Sequence, residues 1–279
     1  MAQIGKYNRL KIVKEVDFGV YLDGGENGEI LLPRKYVPRD ARPGDEAEVF
    51  LYLDSEDRII ATTLRPYATV GEFAFLRVSA VNSIGAFLDW GLPKDLLVPF
   101  REQRVRMQPG KSYMVYIYYD IESGRIAASA KTEKYLGNIR PSYRFNMPVK
   151  VLVCQKTDIG YKVVVDNLHS GMIYDNELYS PVYVGGRFDG YVKHVRDDGK
   201  IDVSLREQGY GSVETLKRQI LEELEKNRGE LPLSDSASPE QIAAVFSCSK
   251  KNYKKAIGAL YKERKIEIAP DMIKLLVRR

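Results

Sequence analysis

The sequence repeats itself at a fixed offset. Gly19 and Gly85, Pro33 and Pro99, Gly44 and Gly110, and Asp54 and Asp120 each stand 66 positions apart. Four coincidences at one offset point to a duplicated folding unit. A fainter third copy places Gly160 and Gly186 where Gly85 and Gly110 stand, at offsets of 75 and 76, which reads as one loop longer by a residue. Such an offset is too long for a solenoid repeat and suits a small closed barrel of about five strands.

Local patterning agrees. Segments Lys11 to Leu22, Ala47 to Leu53, Leu76 to Asp89, Ser112 to Tyr119, Val149 to Val153 and Tyr161 to Val165 are rich in Val, Ile, Tyr and Phe. Turn residues punctuate them at Asp23-Gly24-Gly25, Pro43-Gly44, Pro109-Gly110 and Asp198-Gly199, the spacing of short strands in small all-β modules. Each copy closes on a hairpin ending in Arg58-Ile59-Ile60, Arg125-Ile126-Ala127 or Lys200-Ile201-Asp202.

From residue 210 the apolar period becomes helical. Val213, Leu216, Ile220 and Leu224 share one face of a first helix that ends at Asn227-Arg228-Gly229. After a Pro- and Ser-bearing link, Leu231 to Ser238, the run Ser238-Pro239-Glu240 opens a short helix with Ile242, Val245 and Phe246 inward. Ser249 caps a third helix with Tyr253, Ala256, Ile257, Leu260 and Tyr261 on its inner face. Two strands follow, Lys265 to Ile268 and Met272 to Val277. Three helices and a hairpin make a winged helix. The expected fold is therefore mainly β: three tandem OB-fold barrels, over 1–66, 67–140 and 141–209, then a winged-helix α/β domain over 210–279. A length of 279 residues taken alone would predict only two domains of ordinary size.

Charge follows the same division. Residues 210–279 hold 14 Lys+Arg against 10 Asp+Glu, and the remainder holds 29 against 28, so most of the net +5 sits in the last quarter. Cys154 and Cys248 are the two cysteines and lie far apart, which gives no disulfide framework and fits a reducing cytoplasm. No uncharged apolar run reaches the ~18–20 residues of a membrane span.

Three runs carry a family resemblance. Phe18-Gly19-Val20-Tyr21, Gly28 to Pro33, Gly44, Asp54 and Arg58 resemble the S-one domain, an OB-fold RNA-binding module. The second copy matches through Ile84 to Phe87, Asp95 to Pro99, Gly110, Asp120 and Arg125 to Lys131, and the third through Gly160, Gly171 to Glu177, Gly186 and Lys200 to Leu205. Three such modules before a winged helix resemble the conserved virulence factor B family of bacterial RNA-binding regulators. That resemblance implies a non-enzymatic, cytoplasmic protein that binds single-stranded RNA across its barrels and regulates gene expression.

It also implies a binding face. Aromatics that stack on bases and cations that follow phosphates must share one side of each barrel. Carried over by position, the RNA-binding candidates are Phe18, Tyr21 and Arg58 in the first copy. In the second they are Phe87 and Arg125, with Trp90 as a nearby platform. In the third they are Lys162, where an aromatic is expected, Tyr174 at the step position and Lys200. Strand aromatics also fill barrel cores, so each of these has a packing alternative. Lys250, Lys251, Lys254 and Lys255 on the third helix of the winged helix offer phosphate contacts or a solvated face, and RNA, DNA or a protein are open as its partner. Gly258 within that helix costs about 1 kcal/mol against Ala and marks a close approach.

Catalytic signatures are missing. His169 and His194 have no partner at metal-ligand spacing, and no phosphate-binding glycine loop, dinucleotide fingerprint or nucleophile elbow occurs. No metal or cofactor is expected. A DNA-binding regulator driven by the winged helix and a docking adaptor of the translation or RNA-decay machinery are the competing functions.

Overall fold

A computed structural model of the chain describes residues 2–178, 180–207, 210–246 and 248–276, with the side chains of 210–212 left aside. The chain is mainly β, with three closed five-stranded barrels and a winged helix. It divides into two compact units, 1–138 and 139–279.

The first unit holds two barrels. Strands β1 (Tyr7–Val16), β2 (Gly19–Asp23), β3 (Glu29–Pro33), β4 (Glu46–Leu53) and β5 (Ile59–Thr62) close in the order β1-β2-β3-β5-β4. All pairs are antiparallel except β3 with β5, where Leu31 meets Ile60. Alternation decides which side chains go inward: Val20 and Leu22 are buried, while Tyr21 between them lies on the outer face. The second barrel repeats this with β6 (Phe73–Val81), β7 (Gly85–Asp89), β8 (Leu96–Pro99), β9 (Ser112–Asp120) and β10 (Arg125–Ser129), and Leu97 meets Ala127. Phe50 and Tyr52 of β4 are buried in the same apolar cluster as Leu88, Trp90, Val115 and Ile117, so the two barrels share a core.

The second unit holds the third barrel and the winged helix. Strands β11 (Pro148–Thr157), β12 (Gly160–Val165), β13 (His169–Tyr174), β14 (Arg187–Val195) and β15 (Ile201–Ser204) close in the same order, with β13 and β15 parallel. Helices α1 (Tyr210–Lys226), α2 (Pro239–Phe246) and α3 (Lys250–Lys262) pack around Ile220, Leu224, Ile242, Tyr253 and Leu260. The wing is three-stranded: β16 (Glu230–Leu231) pairs with β18 (Ile273–Leu275), which pairs with β17 (Ile266–Ile268). Leu231, the second residue of β16, is the first residue of the segment expected to be only a link.

The repeat has a backbone cause. In all three barrels the first strand slips register at one residue, Val13, Ser79 or Cys154, a β-bulge that lets it curve around the barrel. These bulges stand 66 and 75 positions apart. Immediately before each, a carbonyl accepts from a left-handed glycine: Gly44 to Ile12, Gly110 to Val78 and Gly185 to Val153, all at 2.8 Å. The counterpart of Gly110 is therefore Gly185 at offset 75, not Gly186, and no residue is inserted before it. At the start of the second strand, a Cβ on Gly19, Gly85 or Gly160 would fall 2.0–2.3 Å from the carbonyl oxygen of Leu32, Val98 or Ile173. Only glycine fits at that crossing.

The winged helix follows its caps. Ser238 Oγ accepts from Gln241 N and Gln241 Oε1 from Ser238 N, a reciprocal capping box, and Ser249 Oγ accepts from Asn252 N. Val245 and Tyr261, expected inside, are exposed at the margins of their helices. Val277, expected in the last strand, lies outside the described residues. No helix among the described residues is long and apolar enough to cross a membrane.

Candidate nucleic-acid interface

Register places three equivalent rows on the outer faces of the barrels. They are Tyr21-Leu31-Ile60, Phe87-Leu97-Ala127 and Lys162-Met172-Asp202, each running across the second, third and fifth strands. Tyr21 and Phe87 are half-buried, and Lys162 is exposed at their counterpart. The step position of the third copy is thus Met172; Tyr174 stands where Pro33 and Pro99 stand, opposite the turn glycine. In the third copy the glycines that shape the backbone recur but the side chains around them differ, so the step expected at Tyr174 falls at Met172.

The first barrel presents the fullest set. Phe18, 58% exposed in the β1–β2 turn, meets Tyr21 edge-on at 6.3 Å, and Lys14 Nζ lies 4.7 Å from the Tyr21 ring centroid. Aromatic faces with a cation beside them can take a base and its phosphate together. Ile84 and Ile159 occupy the place of Phe18 and are also exposed, but aliphatic. Arg58 is exposed at the hairpin, where Asp54 Oδ2 accepts from its Nε at 2.9 Å and Glu56 pairs with its Nη1 at 2.8 Å. Asp54 Oδ1 accepts the backbone N–H groups of Glu56 and Arg58. Burial pushes the Asp54 carboxyl upward, but the Arg58 backbone N–H and guanidinium and the Glu56 N–H outweigh it and hold the group below its ordinary value.

Trp90 is not a platform. It is 3% exposed, its ring meets Phe50 edge-on at 5.8 Å, and its Nε1–H donates to the Lys94 carbonyl at 2.7 Å. A large aromatic beside a turn reads as a platform in one barrel's sequence; here the neighbouring barrel covers it. Arg125, at the hairpin of the second barrel, is bound to Asp57 of the first.

The third barrel uses a cation that the sequence comparison did not single out. Arg196 Nε donates to Asp202 Oδ1 at 2.8 Å, its Nη2 bonds the Tyr174 hydroxyl, and its guanidinium carbon lies 5.9 Å from that ring's centroid. Tyr174 and Arg196 thus meet beside the Lys162-Met172-Asp202 row. Lys200 is exposed and paired with Asp198 at 2.7 Å. Lys156 lies 4.4 Å from the Tyr161 ring.

On α3, Lys250 donates to the Ser236 carbonyl and Lys254 pairs with Asp235 at 3.5 Å. Lys251 and Lys255 are exposed, and among the described residues no carboxylate lies within ion-pair distance of either. A Cβ on Gly258 would meet nothing within 4 Å, so among the described residues none makes the close approach that the glycine is expected to mark.

Comparison with known proteins bears on the same modules. Residues 4–64 match the S1 domain family model, and residues 218–275 match the CvfB-like winged helix domain. From end to end the chain is similar to proteins of the conserved virulence factor B family. Across 282 residues it is 26% identical to conserved virulence factor B of Staphylococcus aureus strain N315, covering 98% of this chain and 94% of that one. YitL of Bacillus subtilis strain 168 is 29% identical over 273 residues, covering 94% and 90%. A crystal structure of a multidomain protein with nucleic acid binding domains from Streptococcus pneumoniae TIGR4 aligns over 98% of both chains at 25% identity, with a TM-score of 0.42. The two matched modules, an S1 domain and a winged helix, are of nucleic-acid-binding classes.

Proposed function

We propose that this protein binds single-stranded RNA along its barrel faces, without catalysis, as a cytoplasmic regulator of gene expression. The observation that carries this reading is the first barrel's face. There Phe18, Tyr21 and Lys14 bring two aromatic surfaces and a cation together on an open strand surface. Stacking and phosphate contact at one place are what a flexible single strand offers, and a duplex hides its bases from such a face. The remaining chemistry is structural. His169 is buried with Nε2 2.7 Å from the Ile139 carbonyl, and burial pushes the Cys154 and Cys248 thiols up to about 12 and about 11, leaving neither a thiolate at neutral pH.

The test is filter binding of labelled single-stranded RNA and duplex DNA over a salt series. Single-stranded RNA is retained at low salt and released as salt rises, because phosphate contacts displace counterions. No retention at any salt overturns the reading. The exposed Lys251 and Lys255 on α3 favour a second one, duplex DNA binding through the winged helix. Removing residues 210–279 separates the two: RNA retention survives under the first, and duplex retention vanishes under the second.

A further inference from the structure

The hairpin that closes each barrel carries one left-handed residue just before its basic residue. In the second and third barrels it is Gly124 (φ 69°) before Arg125 and Gly199 (φ 77°) before Lys200. In the first barrel it is Asp57, at φ 60°, before Arg58. A left-handed conformation favours glycine, and an aspartate held there carries a backbone cost that the other two hairpins avoid. The cost implies a task for the side chain.

That side chain reaches the second barrel. Asp57 Oδ1 accepts from Lys94 Nζ at 3.0 Å, and Oδ2 is bound by the Arg125 guanidinium. All three side chains stay open to solvent, 38% for Asp57, 38% for Lys94 and 55% for Arg125. The two cations hold the carboxyl below its ordinary value. Lys94 is positioned independently of Asp57: its carbonyl accepts from the buried Trp90 indole, and its ammonium also donates to the Asp54 carbonyl. Arg125 begins β10, two residues before the Ala127 that pairs with Leu97 in the second face. Arg58 stands in the same relation to the Leu31–Ile60 pair of the first face. Asp57 therefore lies between the basic residues that border two adjacent faces.

We propose that Lys94 and Arg125 form a phosphodiester-binding site at the junction of the first two barrels, and that Asp57 occupies it in the free protein as an internal competitor. The proposal rests on the single-stranded RNA reading above. A strand passing from the first face to the second displaces the carboxylate and takes both cations. The exchange costs little, since partly exposed ion pairs of this kind contribute little to stability. Asp57 then sets a threshold: a ligand covering one face leaves the junction closed, and one long enough to cross it opens it.

The experiment is an anisotropy titration of the full chain with oligouridylate of about 20 nucleotides, long enough for two barrel sites. Asp57→Gly gives the hairpin the residue its two counterparts carry and keeps the fold, which a thermal melt at or above that of the unmodified protein verifies. Asp57→Asn is the second variant, since asparagine tolerates the same conformation. Both bind the oligonucleotide about three- to tenfold more tightly. Their affinity also falls more steeply with salt, by about 0.7 in log–log slope for each phosphate gained. Adding Lys94→Gln and Arg125→Gln to Asp57→Gly removes the gain. If the unmodified chain binds and both Asp57 variants bind equally or more weakly, or if the gain survives loss of the two cations, the junction site is overturned alone. If neither the unmodified chain nor either variant binds, the RNA reading falls and this proposal with it.

Discussion

Phe18 and Trp90 are both aromatics next to a β-turn, and their surroundings give them opposite work. Phe18 projects into solvent beside Tyr21 and supports no core. Replacing it with alanine therefore leaves urea unfolding unchanged and weakens single-stranded RNA binding by the worth of one stacked base, about 1–3 kcal/mol. Trp90 fills the space between two barrels against Phe50, with its indole N–H satisfied. Its alanine variant loses about 3–5 kcal/mol of stability in the first unit and shifts the urea midpoint of that unit. Equal effects of the two substitutions on binding, with stability unchanged in both, would contradict this assignment. Nothing within either local sequence separates the two residues, because burial of Trp90 comes from Phe50, forty positions away in another barrel. Arg196 is not legible in the sequence for a similar reason: it meets Tyr174 and Asp202 only once β13, β14 and β15 are closed together.

At the level of elements, what the sequence made legible was backbone geometry. Gly19, Gly85 and Gly160 repeat because a carbonyl of the third strand passes where their Cβ would be. Gly44, Gly110 and Gly185 repeat because a left-handed residue must turn its N–H onto the carbonyl before each bulge. Side chains on the outer faces have no such constraint and differ in the third barrel, so its sequence points to Tyr174 at the step that Met172 occupies. The closing hairpin of the first barrel shows how such an element responds to acid. Asp54 is 16% exposed and accepts from Glu56 N, Arg58 N and the Arg58 guanidinium, so its folded pKa lies below its unfolded value near 3.9. A carboxylate lowered on folding contributes stability that is fully present above the unfolded value and is lost as pH falls through the folded one. Urea midpoints measured downward from about pH 5 should therefore fall for the unmodified protein. Asp54→Asn should start lower at neutral pH and flatten part of that decline; parallel acid limbs in the two proteins would show that Asp54 does not contribute.

For the whole molecule, the net charge of +5 conceals how binding is distributed. The first 209 residues are nearly neutral, and several of their cations on the barrel faces are paired with carboxylates, as Arg58 is with Asp54 and Lys200 with Asp198. Such faces bind weakly one at a time, and strength comes from joining several on one chain. Phe50, Tyr52 and Trp90 share a core, so the first two barrels belong to one compact unit. Residues 1–138 cut from the chain should accordingly unfold in a single cooperative transition. Its Phe18 face is intact, so the fragment retains single-stranded RNA, but without the second unit it loses the gain from a tethered neighbour. That gain is on the order of 10²-fold or more when both units reach one strand. The loss should appear only with oligonucleotides long enough to engage both units, and short ones should bind the fragment and the full chain alike. A fragment that matches the full chain on long RNA would mean that the second unit contributes no contact to this ligand.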